Sequence, residues 1–114
     1  MGKLVQRPWG TFELILETEN YVVKRLVVYP DSMLSLQSHN HRNEHWVVVE
    51  GEGIITVREE KFLKKRDEQV YIPKGAKHRA ANVKQENLVL IEVQTGDLLS
   101  EDDIVRYEDI YGRV

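Results

Sequence analysis

Three of the four histidines in this chain, His39, His41 and His45, crowd into one short stretch, and the fourth, His78, stands apart. Gln37 and Glu44 flank the first group, and the second follows a turn in the pattern Pro73-x-Gly75-x2-His78-x3-Asn82. Side chains two apart on a strand share a face, so Gln37 and His39 look into the same space. A reversal near Asn40 to Asn43 returns Glu44 beside them, and the Pro73/Gly75 turn delivers His78 from a second hairpin. Four donors thus converge from three strands. Imidazole nitrogen with carboxylate and amide oxygen suits a divalent transition metal, whether Zn, Mn, Co, Ni or Fe. A lone histidine on a half-buried strand is ordinarily a satisfied polar residue; the two clusters together are what point to a metal.

Strands must carry these donors, and the sequence supplies them. Short β-branched runs recur at Phe12 to Leu16, Tyr21 to Tyr29, Leu34 to His39, His45 to Val49, Ile54 to Val57, Val70 to Ile72 and Leu88 to Gln94. Pro30-Asp31, Glu50 to Gly53, Pro73 to Gly75 and Thr95-Gly96 separate them, a cadence that predicts an all-β sandwich or barrel. Near the end, Ser100 to Asp103 before Ile104 reads as an N-capped short helix or turn. Beyond it, Tyr107, Ile110 and Tyr111 are expected to anchor the tail, since tails without anchors fray.

Bulk properties narrow the function classes. At 114 residues the chain reads as a single domain, 1–114, with a core that needs no disulfide. Cysteine is absent, which removes thiolate ligation and fits a reducing cytoplasm. No apolar run approaches a membrane span, and the first residues lack a signal peptide's apolar core, so we expect a soluble, intracellular protein. The net charge of -3 gives no global pull toward nucleic acid. The basic run Lys61, Lys64, Lys65 and Arg66 is bracketed by Glu59, Glu60, Asp67 and Glu68, as on a solvated hairpin.

The two clusters resemble the paired motifs of cupins: the first with Gln37 in place of a usual histidine, the second without a gap. The resemblance implies a double-stranded β-helix, the cupin jelly-roll barrel, with a metal held by Gln37, His39, Glu44 and His78. It extends through Arg7-Pro8-Trp9-Gly10-Thr11-Phe12, Leu34 to Gln37, His41 to Val49, Tyr71-Ile72-Pro73, Ile91 to Gln94, Glu101 to Arg106 and Tyr111-Gly112-Arg113. These segments look like type II mannose-6-phosphate isomerases. In that family a nucleotidyltransferase domain making GDP-mannose usually precedes this one; here that domain, and with it guanylyltransferase activity, is expected to be absent. Asp31 and Asp67 depart from glycine in the general motifs, and Asn40 and Asn43 depart from His and Ala in the family. Asp and Asn tolerate left-handed turns, so the geometry should survive.

The resemblance implies an aldose–ketose isomerase acting on mannose 6-phosphate and fructose 6-phosphate. Such chemistry needs an electrophile, a base and a phosphate anchor. The resemblance points to Arg106 and Arg113 for the phosphate, with Arg7 and Lys24 as weaker candidates; the competing reading pairs these arginines with Asp102, Asp103, Glu108 or Asp109. His41 is the first choice for the base, with Glu92 and Lys74 as alternatives and His45 a more distant one. Glu92 and Gln94 either line a cavity or meet water at a strand end. Trp9 and Trp46 read as core. Two other functions stay open: a non-enzymatic sugar-phosphate or nucleotide-sugar binding module that serves a separate nucleotidyltransferase, and a metal-dependent oxygenase. Analogy with other cupins implies a homodimer.

Overall fold

The structure is a computed structural model that describes residues 3–113. The described residues form strands and turns, with no helix among them. The strands are β1 (Lys3–Arg7), β2 (Gly10–Glu17), β3 (Tyr21–Val28), β4 (Ser32–Met33), β5 (Leu36–Ser38), β6 (Arg42–Glu50), β7 (Glu52–Val57), β8 (Glu60–Lys65), β9 (Gln69–Ile72), β10 (His78–Asn82), β11 (Leu88–Gly96) and β12 (Val105–Glu108). One sheet runs β1-β2-β3-β11-β6-β9; the other runs β12-β5-β10-β7-β8, with β4 also on β10. The pairings are antiparallel throughout, as in a jelly-roll barrel.

Alternation along three neighbouring strands divides the interior into two halves. The inward series are Val22, Lys24, Leu26 and Val28 on β3; Leu88, Leu90, Glu92 and Gln94 on β11; and Arg42, Glu44, Trp46 and Val48 on β6. Register aligns them, with Leu90 beside Leu26 and Val48, and Glu92 beside Lys24 and Trp46. One end is therefore apolar, where Val28, Leu88, Leu90 and Val48 meet Ile55 and Ala80 of the facing sheet. The other end is polar and buried. Burial of the apolar end drives folding, at about 25 cal/mol per Å² of apolar surface removed from water.

Turn chemistry agrees with the sequence. Asp31 and Asp67 adopt φ of 54° and 75°, the left-handed conformation expected where the motifs ask for glycine. Ser100 to Asp103 forms a turn rather than a helix: the Asp103 N–H bonds to the Ser100 carbonyl at 3.1 Å and the Asp102 N–H to Ser100 Oγ at 3.1 Å. Helix propagation stops because the chain enters β12 two residues later and pairs with β5. Tyr111 packs on the core and Tyr107 Oη meets Ser38 Oγ at 2.8 Å, but Ile110 is exposed and anchors nothing. The basic run falls largely on β8, an edge strand, where charge discourages edge-to-edge association.

Gly96 tests the close approach between β11 and the loop before β6. A Cβ there would lie 2.1 Å from the His41 carbonyl oxygen and 2.7 Å from Arg42 Cα, at φ of +157°. Gly96→Ala should lower stability by at least about 2 kcal/mol. Gly112→Ala, at φ of +77° with nothing within 4 Å, should cost only about 1 kcal/mol. Urea midpoints at unchanged m-value would measure both; equal losses would mean that backbone conformation, not collision, makes Gly96 necessary.

Candidate metal centre and adjoining cavity

His39, Glu44 and His78 come together at the polar end, with one ligand atom from each lying within 4.8 Å of the others. Glu44 arrives on β6 of one sheet; His39, just past β5, and His78, opening β10, arrive from the other. All three are buried. His39 Nε2 lies 3.2 Å from Glu44 Oε2, and His78 Nε2 lies 3.6 Å from Glu44 Oε1.

The backbone fixes each imidazole. His39 Nδ1 lies 2.7 Å from the Asp103 carbonyl and His78 Nδ1 lies 2.9 Å from the Ala76 carbonyl. A carbonyl only accepts, so Nδ1 carries the proton and both Nε2 lone pairs face Glu44. His78 Nε2 is buried without a hydrogen-bond partner, as expected of a metal ligand. Gln37 stands directly opposite His78 in the β5–β10 register. Its Nε2 is committed to Ser35, at 3.2 Å to the carbonyl and 3.0 Å to Oγ, which turns the amide oxygen to other work. The donor set fits a divalent transition metal with nitrogen and oxygen ligands.

Adjoining the cluster is a cavity of about 380 Å³ lined by Gln37, Arg42, Trp46, Glu92, Gln94, Arg106 and Arg113 among others; His39, Glu44 and His78 lie behind that lining. Trp46 Nε1 donates to both carboxylates, at 3.1 Å to Glu44 and 2.9 Å to Glu92, and Gln94 Nε2 donates to Glu92 at 2.7 Å. Glu92 and Gln94 thus line the cavity rather than meeting water. Trp9 and Trp46 are both core and cavity wall.

The cations divide. Arg106 Nε is buried without a partner. Arg113 is forked onto Asp109, at 2.6 Å from Nε and 3.2 Å from Nη2, so the local-pairing alternative applies to Arg113. Lys24 pairs with Glu101 and lies 4.6 Å above the Phe12 ring; Arg7 lies 5.1 Å above the same ring.

Three residues weighed as bases are not brought here. His41 is exposed and outside the cavity lining. Simple alternation fails because β5 ends at Ser38 and the chain bends at Asn40 and His41. There the Asp103 carboxylate accepts both backbone N–H groups at 2.9 Å. Lys74 is exposed beside Arg58 and Lys77 in a separate depression, while its backbone N–H bonds to Asn43 Oδ1 at 2.8 Å. His45 is exposed against Tyr71 on the outer face of β6. The roles of Arg42 at the donors and of Asp103 behind His39 are not among those the sequence points to. Arg42 sits two residues before Glu44 on one strand, so alternation was enough to place it; Asp103 lies some sixty residues from the loop it caps.

Burial, reinforced by the positive charge of Arg42 and by His78, pushes His39 down to about 4. Burial pushes His78 down to about 4 as well. Burial and the adjacent Glu44 charge push Glu92 up to about 7. In metal-free protein the histidines therefore take up protons below 6.5 in the unfolded chain alone, and their stabilisation is lost as pH falls. Glu92 runs the other way: between 4.5 and 7 it holds a proton only when folded, and its stabilisation is lost as pH rises through 7. Two against one leaves a net proton, so stability in EDTA should fall by about 1.4 kcal/mol per pH unit from about pH 6.5 to about pH 5. Glu92→Gln should roughly double that slope. Urea denaturation across the window tests both; a flat profile would mean that the imidazoles are not held neutral.

Known proteins can be set beside this geometry. The family model for the mannose-6-phosphate isomerase C-terminal domain matches residues 1–109. The xanthan biosynthesis protein XanB of Xanthomonas campestris is 50% identical over 109 residues, 96% of this chain and 23% of that protein. Mannose-1-phosphate guanylyltransferase ManC of Salmonella typhimurium is 49% identical over 114 residues, 100% of this chain and 24% of that protein. The chain thus spans about a quarter of the length of these relatives. Among solved structures, the capsular polysaccharide assembling protein CapF of Staphylococcus aureus superposes with a TM-score of 0.82 at 22% identity, covering 96% of this chain and 35% of that one. A cupin-2 domain from Rhodospirillum rubrum gives a TM-score of 0.77 at 17% identity, covering 90% and 78%. At such identities these last two show the fold, a cupin, and no more.

Proposed function

This chain belongs to the mannose-6-phosphate isomerase C-terminal family, and we propose that it is itself a metal-dependent, cytoplasmic aldose–ketose isomerase interconverting mannose 6-phosphate and fructose 6-phosphate. The observation that carries the reading is the convergence of His39, Glu44 and His78 next to a cavity lined by their neighbours Gln37, Arg42 and Trp46 together with Glu92 and Arg106, whose Nε has no hydrogen-bond partner among the described residues. The cavity volume of about 380 Å³ is in the range of small-molecule sites.

His39, Glu44 and His78, with the Gln37 amide oxygen, would hold Zn, Mn, Co, Ni or Fe. Bound there, the metal would supply Lewis-acid polarisation of the sugar oxygens. Arg106 would bind the phosphate, with Arg7, Lys24 and the Asp109-paired Arg113 adding positive charge at the cavity wall. Glu92 is the favoured base: it lines the cavity and is pushed up to about 7, where it can both accept and return a proton near neutral pH. It would take the proton from C2 of the open-chain aldose and deliver it to C1, while the proton of the C2 hydroxyl passes to the C1 oxygen to give the ketose. Trp46 and Gln94 aim its carboxylate, and Trp9, Phe12 and Leu34 give the same cavity an apolar wall.

A coupled assay of mannose 6-phosphate conversion, run across divalent metals and with EDTA, tests the reading. Turnover should be chelator-sensitive and should fall at least about 100-fold in His39→Ala and His78→Ala, more than loss of an outer support costs. Arg106→Ala should raise KM about tenfold with a smaller change in kcat, and Glu92→Gln should lower kcat by about 10² to 10⁴. Ligand binding without turnover for any metal would instead identify a binding module, and oxygen uptake with ferrous iron an oxygenase.

A further inference from the structure

The reaction outlined above gives no task to Arg42, yet no cation is set more deeply into the donor cluster. The side chain is 7% exposed. Its Nε donates to Glu44 Oε2 at 2.8 Å, its Nη2 to His39 Nε2 at 3.2 Å and its Nη1 to the Ser100 carbonyl at 3.1 Å. Two of these acceptors are atoms through which His39 and Glu44 would bind a metal. The conflict at His39 is strict. With Nδ1–H given to the Asp103 carbonyl, the ring has one lone pair left, and Nε2 cannot both accept from a guanidinium and bind a cation. Arg42 also lines the adjoining cavity, so side-chain torsions alone could carry its charged end there.

We infer that Arg42 is a built-in counter-cation that exchanges with the metal: it occupies the donors in metal-free protein, and metal loading drives its guanidinium into the cavity, where it becomes an anion anchor beside Arg106. The inference rests on the metal-site reading above. Its physical basis is the cost of leaving the Glu44 carboxylate buried without a positive neighbour. Arg42 supplies that neighbour before loading, and a divalent ion supplies it afterwards. Both cations cannot stay: at a few ångströms in a poorly hydrated interior they repel strongly. Linkage then makes the exchange reciprocal, so an anion in the cavity favours metal binding and metal favours the anion.

Zinc, which is diamagnetic, can report the exchange in ¹⁵N-labelled full-length chain. The Arg42 Nε–H resonance, identified by its loss in Arg42→Lys, should be shifted and protected from solvent exchange in EDTA. One equivalent of zinc should move it to the position of solvent-accessible arginines. Zinc should bind Arg42→Met about ten- to hundredfold more tightly than wild type, because the ion no longer breaks charge-assisted hydrogen bonds. Sulfate, a weakly metal-binding stand-in for phosphate, should tighten zinc binding several-fold in wild type but not in Arg42→Met.

An Arg42 Nε–H that keeps its shift and protection in the zinc complex would overturn the exchange, as would an Arg42→Met variant that binds zinc no more tightly than wild type. Either result would leave the metal site standing, with the guanidinium and metal side by side. Absence of zinc binding in wild type and both Arg42 variants, all folded by circular dichroism, would overturn the metal-site reading itself. Should Arg42→Met fail to fold, Arg42→Lys carries the comparison, because an ammonium keeps the charge but lacks the fork that reaches Glu44 and His39 together.

Discussion

Glu44 sets the terms for the polar half of this protein. It is 1% exposed, and a carboxylate taken that far from water costs several kcal/mol unless positive charge and hydrogen-bond donors surround it. Arg42 and Trp46 supply them from the same strand, while His39 and His78 of the facing sheet turn their Nε2 atoms toward the carboxylate. Glu92, sharing the Trp46 N–H, then feels a second negative charge close by, which with burial is why it titrates near neutrality rather than as an ordinary carboxylate. One buried charge thus bears on the protonation range of a second carboxylate and on the position of an arginine.

The barrel can host such a cluster because its other half is apolar. On β11 the inward residues change from aliphatic to polar between Leu90 and Glu92; Lys24 of β3 is level with Glu92, with Val22 beyond it aliphatic again, and on β6 Trp46 stands at that level with Glu44 and Arg42 following. The aliphatic level provides the stability; the polar level can then hold groups that are costly to bury. Trp46 sits at the boundary, its ring in the core and its N–H on the carboxylates.

The C-terminal stretch closes the site from outside. The Asp103 carbonyl orients His39, its carboxylate pins the backbone of Asn40 and His41, and the Ser100 carbonyl receives Arg42. The backbone N–H groups of Asn40 and His41 hold the Asp103 carboxyl below its ordinary range even though burial alone would push it up. β12 pairs with β5 and brings Arg106 beside Gln37. Segments some sixty residues apart in the chain therefore share one task, the orientation of a single imidazole and its surroundings.

Strand periodicity and turn residues made much of this legible in advance. The alternation of β-branched runs with Pro, Gly and Asp turns determined an all-β barrel, and the spacing of Gln37, His39, Glu44 and His78 pointed to a convergent donor set, because a period of two is a local property of the backbone. The same rule failed at His41, where the strand had already ended and a distant carboxylate, not local propensity, decided the bend. Nothing linear distinguished Arg106, whose Nε has no hydrogen-bond partner among the described residues, from Arg113, which is clamped by Asp109, since pairing depends on which side chains share space. Nor did spacing alone decide whether Glu92 faced water or the interior. The sequence determined which residues could face inward and which chemistry they carry. Tertiary structure decided which of them meet, how deeply they are buried and which charges they feel, because those quantities depend on distances through space between strands that are remote along the chain.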